Sequence, residues 1–181
     1  MAIDPLLAGT WHIDNAHSRV GFSTRHAMVS RVRGAFNNVS GQADINAESL
    51  PESRVNVVIE SASIDTRQPE RDDHLRSADF LNVGEFPQIT FVSSSIDEIG
   101  DNQFIVTGDL TIRGITRQTS IPLELMGVEH DPMGATRAGL EGSRRIDRRD
   151  WDVRWNTPLD SGGVLVSDKI TLEFELSLVK Q

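Results

Sequence analysis

Hydrophobic and polar residues alternate with a period of two along most of this chain. From Val164 to Val179 the even positions read Val164, Val166, Asp168, Ile170, Leu172, Phe174, Leu176 and Leu178, and the odd positions are mostly polar. That pattern predicts one long strand with an apolar face and a wet face. Phe104, Val106, Leu110 and Ile112 repeat it, as do Thr119, Ile121, Leu123 and Leu125 within a strand over 115–126, then Val55, Val57 and Ile59, and then Val20 and Phe22. Turn residues separate the runs. Gly100-Asp101-Asn102 predicts a hairpin, Gly114 separates Ile112 from the next strand, Asp131-Pro132-Met133-Gly134 predicts a turn, and Gly162-Gly163 precedes the last strand. Gln68 to Ala78 departs from the period. Pro69 near its start and acids in its first turn predict a short helix near 69–79, with Leu75 and Ala78 facing inward.

Some eight or nine long antiparallel strands with one apolar face can pack as a sandwich or close as a barrel. The inward positions are mostly Val, Ile and Leu, with small residues between them. An eight-stranded barrel of that lining has room for a ligand.

Composition narrows the function. The 181 residues correspond to one domain, read as 1–181. The net charge of -9 is a poor match for general nucleic-acid binding. No apolar run is long enough for a spanning helix, so stable membrane insertion is not expected. The absence of cysteine removes thiolate nucleophiles and cysteine-based metal sites. The start of the chain carries Asp4 and lacks a basic stretch followed by an apolar core, so a cytoplasmic location is expected.

The candidate chemistry is sparse. His12, His17, His26, His74 and His130 include no pair at the spacing that puts two zinc ligands on one face of a strand or helix, and neither metal nor cofactor is expected. His17, in a polar corner after Asp14, reads as structural. His26 shares parity with Val20 and Phe22, which points it into a barrel or at its rim. Arg71 and His74 share a helix face and, with His26, could supply acid–base groups for an enzyme acting on a lipid or small molecule. No nucleophile motif, phosphate loop or dinucleotide fingerprint accompanies them, so the helix reads rather as a plug or gate. A protein-interaction module using its outer strands is the remaining alternative. Sixteen of the 18 basic residues are arginines. Arg19, Arg25, Arg31 and Arg33 lie in an acid-free stretch from Asn15 to Ala43. Arg144, Arg145, Arg148, Arg149 and Arg154 form a second group among Asp147, Asp150 and Asp152. Arginine forks of either group suit an anionic head group.

Several ordered blocks resemble the YceI-like family. They include Ile13-Asp14-Asn15-Ala16-His17-Ser18-Arg19-Val20-Gly21-Phe22, Ser63-Ile64-Asp65-Thr66 followed by Arg71-Asp72-Asp73-His74-Leu75-Arg76-Ser77-Ala78-Asp79-Phe80, and Gly108-Asp109-Leu110-Thr111-Ile112. The blocks span about Trp11 to Leu178, which leaves residues 1–10 as an N-terminal extension. Near the end, the family's Arg-x-Asp-Phe-Gly pattern is Arg148-Arg149-Asp150-Trp151-Asp152 here. The resemblance implies an all-β, lipocalin-like antiparallel barrel of about eight strands, a non-enzymatic role, and homodimerisation. It also implies binding, storage or transport of a long apolar lipid, such as a polyprenyl phosphate or a quinone. The residues expected to line that site are Val20, Phe22, Val57, Ile59, Phe91, Leu110, Ile121, Leu123, Leu140, Leu172 and Phe174, with Trp151 and Trp155, and with His26, Arg71 and His74 as its polar members.

Overall fold

The computed structural model describes residues 4–181. Its strands are β1 Gly9–Ile13, β2 Arg19–His26, β3 Ser30–Phe36, β4 Val39–Ile45, β5 Arg54–Glu60, β6 Ile64–Asp65, β7 Gln88–Gly100, β8 Gln103–Ile112, β9 Ile115–His130, β10 Thr136–Asp147 and β11 Lys169–Lys180. One helix, α1, spans Pro69–Arg76. Eight strands close an antiparallel ring in the order β1-β4-β5-β7-β8-β9-β10-β11, and β11 pairs back onto β1. Closure decides between the two architectures that alternation allows: a closed ring has no unpaired edge and encloses one apolar face.

The seam is shared. β1 takes one end of β11, with Trp11 opposite Lys180 and Ile13 opposite Leu178. β2 takes the next stretch, from Glu175 opposite Arg19 to Thr171 opposite Ser23. Where one strand leaves and the other enters, Ser18 stands in for a backbone partner. Its hydroxyl donates to the Ser177 carbonyl and accepts from the Ser177 N–H. The hairpin of β2 and β3 then continues outward, and β6 adds two residues to β3.

Inward parity follows the sequence pattern. Ile170, Leu172, Phe174, Leu176 and Leu178 of β11 all face the interior. The last strand is shorter than alternation predicts, however, because it starts at Lys169 rather than Val164. In the preceding stretch side chains occupy the backbone groups that a neighbouring strand would need. Asn156 brackets Val166 by donating to its carbonyl and accepting from its N–H. The Arg148 guanidinium donates to the carbonyls of Ser167 and Val166. Gly162 and Gly163, both at positive φ, belong to a turn inside this loop. β9 runs past the expected Met126 to His130. The hairpin at Gly100–Gln103 forms as predicted, and Arg113-Gly114, expected only to separate two strands, makes a second one with both central residues in the left-handed region.

α1 is also shorter than predicted. The Ser77 N–H and hydroxyl both close on the His74 carbonyl and end the helix, so Ala78 is exposed and does not face inward. Phe80, buried at 6% exposure, takes the inward place. Of residues 4–10, Pro5–Leu7 form a short 3-10 turn ahead of β1. Leu7 reaches the barrel lining, the Leu7 carbonyl accepts from the Trp11 indole, and Gly9 and Thr10 open β1. Residues 1–3 of the expected extension lie outside the described residues.

Candidate functional site

The barrel encloses a cavity of about 410 Å³ walled almost entirely by carbon. Its size lies in the ~300–1,000 Å³ range of small-molecule sites. The strand registers define two ends. At one end, Leu7 and the buried Trp11 and Leu50 close the lumen. At the other lie α1, the apex of the β2–β3 hairpin and the loop from Asn156 to Asp168.

All sixteen expected residues fall on this wall. Val20 and Phe22 come from β2, Val57 and Ile59 from β5, and Phe91 from β7. Leu110 comes from β8, Ile121 and Leu123 from β9, Leu140 from β10, and Leu172 and Phe174 from β11. Trp151 and Trp155 lie on the wall although their segment has no strand periodicity. Trp151 occupies the aromatic position of the Arg-x-Asp-Phe-Gly pattern and donates its indole N–H to the Leu110 carbonyl across 2.9 Å. Asp152 adopts φ 59, the left-handed conformation that glycine takes without strain. Gly34 is required at a close approach: a Cβ there would lie 2.5 Å from the Phe22 ring and 2.8 Å from the Thr66 methyl.

The polar members gather at the α1 end. His26, Arg71 and His74 all reach the lining, and Arg71 and His74 each also hydrogen-bond within the protein. Arg71 donates from Nε to Thr66 Oγ1 and from Nη2 to the Thr66 carbonyl, at 2.7 and 2.8 Å. Asp72, in the same charged block, is buried and accepts from the N–H and hydroxyl of Thr66. Arg76 donates to the carbonyls of Ala62 and Ile64. The conspicuous acidic and basic residues of this block therefore fasten the helix to β6. His74 Nε2 lies 2.9 Å from Asp79, and its ring meets Phe80 and Trp155 edge-on, with centroids 5.0 and 4.6 Å away. These three rings form an aromatic floor under α1.

The two arginine groups separate. Arg148 is 5% exposed and donates to three carbonyls, those of Ser167, Val153 and Val166, so it is a structural residue. Burial pulls its pKa down from the ordinary arginine value. Arg149 is paired with Asp147, which holds that carboxyl below the usual carboxylate range, and Arg154 is paired with Asp152. Arg19 meets Glu173. Arg31 and Arg33 are exposed and have no ion-pair partner among the described residues; Arg25 shares that lack and borders the cavity. His17 is structural as expected: its Nδ1 lies 2.6 Å from Asp14, which also accepts from Arg137. Several contributors to the lining were not singled out from sequence, notably Trp11, Leu50, Phe80, Ile96 and Val106. Val106 shares the alternation of β8 and Phe80 ends the Asp79-Phe80 block, so both carried a signal. Leu50 carried none.

Fold and site together define a closed β-barrel with a sequestered apolar lumen and a polar rim at one end. The YceI-like domain matches residues 11–178, and the chain belongs to that family. It is 38% identical to Protein YceI of Salmonella newport over 149 residues, which covers 81% of this chain and 78% of that protein. BcnA of Burkholderia cenocepacia superimposes with a TM-score of 0.79 at 26% identity, covering 91% of this chain and 98% of that one. A polyisoprenoid-binding domain from Saccharophagus degradans shares the fold with a TM-score of 0.72 at 14% identity, covering 94% and 98%. No helix among the described residues is long and apolar enough to cross a membrane.

Proposed function

We propose that the protein holds a long apolar chain inside its barrel and stores or transports it without chemical change. The observation that carries this reading is the enclosed lumen itself, lined along its length by Val, Ile, Leu and Phe. Burying hydrocarbon contributes ~0.8 kcal/mol per CH₂, so one five-carbon isoprene unit contributes about 4 kcal/mol gross. Three or four units suffice for micromolar binding after ~4–15 kcal/mol of association cost. An isoprenoid, either a quinone or a polyprenyl phosphate, is the ligand class proposed. The family resemblance supports it, and so does the use of this fold in a polyisoprenoid-binding domain. A homodimeric state belongs to the same proposal.

The fastening of Arg71 to Thr66 and the lack of a nucleophile motif beside His74 and Asp79 support a binding role over catalysis. The test is organic extraction of the purified protein followed by mass spectrometry. An extracted isoprenoid that rebinds the emptied barrel is the expected result. A protein that yields no lipid and takes up no polyprenol would refute the carrier.

A further inference from the structure

We propose that the apex of the β2–β3 hairpin docks the α1 end of the barrel on an anionic lipid bilayer. The proposal rests on the carrier reading, since a carrier of membrane-soluble lipid must meet a membrane to load and unload.

The hairpin has the shape and charge of a membrane-surface probe. Ala27 and Met28 both adopt positive φ, 52° and 65°, in a tight turn whose Val29 N–H closes on the His26 carbonyl. Asn-Gly forms such a turn with the least strain. Here Ala and Met hold it, and the strained backbone presents Met28 and Val29 at 62% and 80% exposure. Arg25 and Arg31 lie directly opposite each other across the hairpin, and Arg33 follows two residues along the same face. Like charges so placed repel unless an anion joins them. No acid lies between Asn15 and Ala43, so the hairpin is locally cationic in a chain of net charge -9. Asp160 and Asp168 are the nearby acids of the adjoining loop. Asp168 faces Arg148 and Arg149.

Position and contrast sharpen the choice of partner. The apex adjoins the cavity: Ala27 N–H donates to the Leu165 carbonyl, and Arg25, His26 and Leu165 line the lumen. Arg31 and Arg33 are exposed and do not line it, so they are placed for a surface outside rather than for a head group within. The opposite end also exposes apolar side chains, Leu6, Ile99, Met126 and Met133, but among Asp97, Glu98, Asp101, Glu129 and Asp131. Glu70, Asp73 and Asp79 lie on and just after α1, so the cationic surface is the hairpin apex itself, and an anionic surface favours that apex over the acid-ringed apolar side chains of the opposite end. Two exposed apolar side chains beside a basic cluster match the paired hydrophobic and electrostatic terms that hold proteins at anionic interfaces.

The test is flotation with vesicles of phosphatidylcholine alone and of phosphatidylcholine with phosphatidylglycerol in equal parts, at low and high salt. The intact protein should bind only the mixed vesicles, and less so at high salt. Each arginine near such a surface is worth about a fivefold change in partition, so Arg31→Gln with Arg33→Gln should weaken binding about twenty-five-fold. Met28→Asn, which suits the turn, should also weaken it while thermal melting confirms the fold. Prenyl alcohol binding in vesicle-free solution is measured on the same samples. Prenyl alcohol uptake without vesicle binding would overturn the docking surface and leave the carrier standing. Vesicle binding without uptake would support the surface and remove the carrier. Self-association that Met28→Asn abolishes, with no vesicle binding, would assign the apex to a second copy and overturn the proposal.

Discussion

Substitution of Leu176 by tryptophan separates a ligand-bearing lumen from a filled core. Leu176 faces inward on β11 opposite Leu140, and it keeps partial exposure although it lies within the barrel wall. It lies seven residues beyond Lys169, which is ~23 Å along the strand at ~3.3 Å per residue. A strand tilt of ~40° reduces this to a depth of about 18 Å from the α1 end. In a filled core the larger ring would cost ~1–3 kcal/mol by overpacking. In an open lumen it enters existing space, and stability should change by less than about 1 kcal/mol. The ligand bears the loss instead. Displacing one isoprene unit forfeits about 4 kcal/mol of burial, which is a loss of about a thousandfold in Kd. Calorimetric titration should therefore show a long polyprenol binding Leu176→Trp far more weakly than the unaltered protein. Geraniol, too short to reach this depth, should bind both alike. Equal losses for both alcohols, or a stability loss of the full overpacking size with unchanged polyprenol affinity, would refute the lumen geometry.

Three other outcomes follow from the same structure. Phe174→Asp puts an unpaired charge on the apolar wall and should cost about 2 kcal/mol or more, whereas Glu175→Lys on the outer face should stay within about 0.5 kcal/mol; equal shifts in thermal melting would show the parity to be wrong. Hydrogen bonds from Arg137 are the main cause holding the carboxyls of Asp14 and Asp131 below their usual range. Depressed carboxyls contribute stability that is complete above their unfolded pKa of ~3.9 and is lost as pH falls through the folded values. Melting temperature should thus drop below about pH 4, and Arg137→Leu should flatten that drop; a drop of unchanged steepness would remove the network from the account. Incubated polyprenyl diphosphate should be recovered intact with the protein and with His74→Ala, and turnover that depends on His74 would restore the enzymatic alternative.

Strand parity was legible because a closed barrel presents one chemical environment to every second residue. Each of β2, β5, β8, β9 and β11 reports it independently. Closure itself was not legible, since it depends on β1 meeting β11 from opposite ends of the chain, and alternation is the same in a sandwich. The beginning of β11 was overestimated for a local reason. Val164 and Val166 keep the alternation, but Asn156 and Arg148 occupy the carbonyls and N–H groups that a ladder would use. Composition also could not separate the arginines. Arg148 and Arg31 look equivalent in sequence, and only the converging carbonyls of Val153, Val166 and Ser167 make the first a buried fastener. The blocks that resemble the family are explained mainly by such joints. Ser18 repairs the seam, Asp14 anchors His17 and Arg137, and Asp72 with Arg71 secures Thr66. A binding surface made of interchangeable Val, Ile and Leu leaves no motif, because any apolar side chain of suitable volume serves. Motifs in this chain therefore mark where the barrel is fastened, and the lumen has to be found from parity and closure.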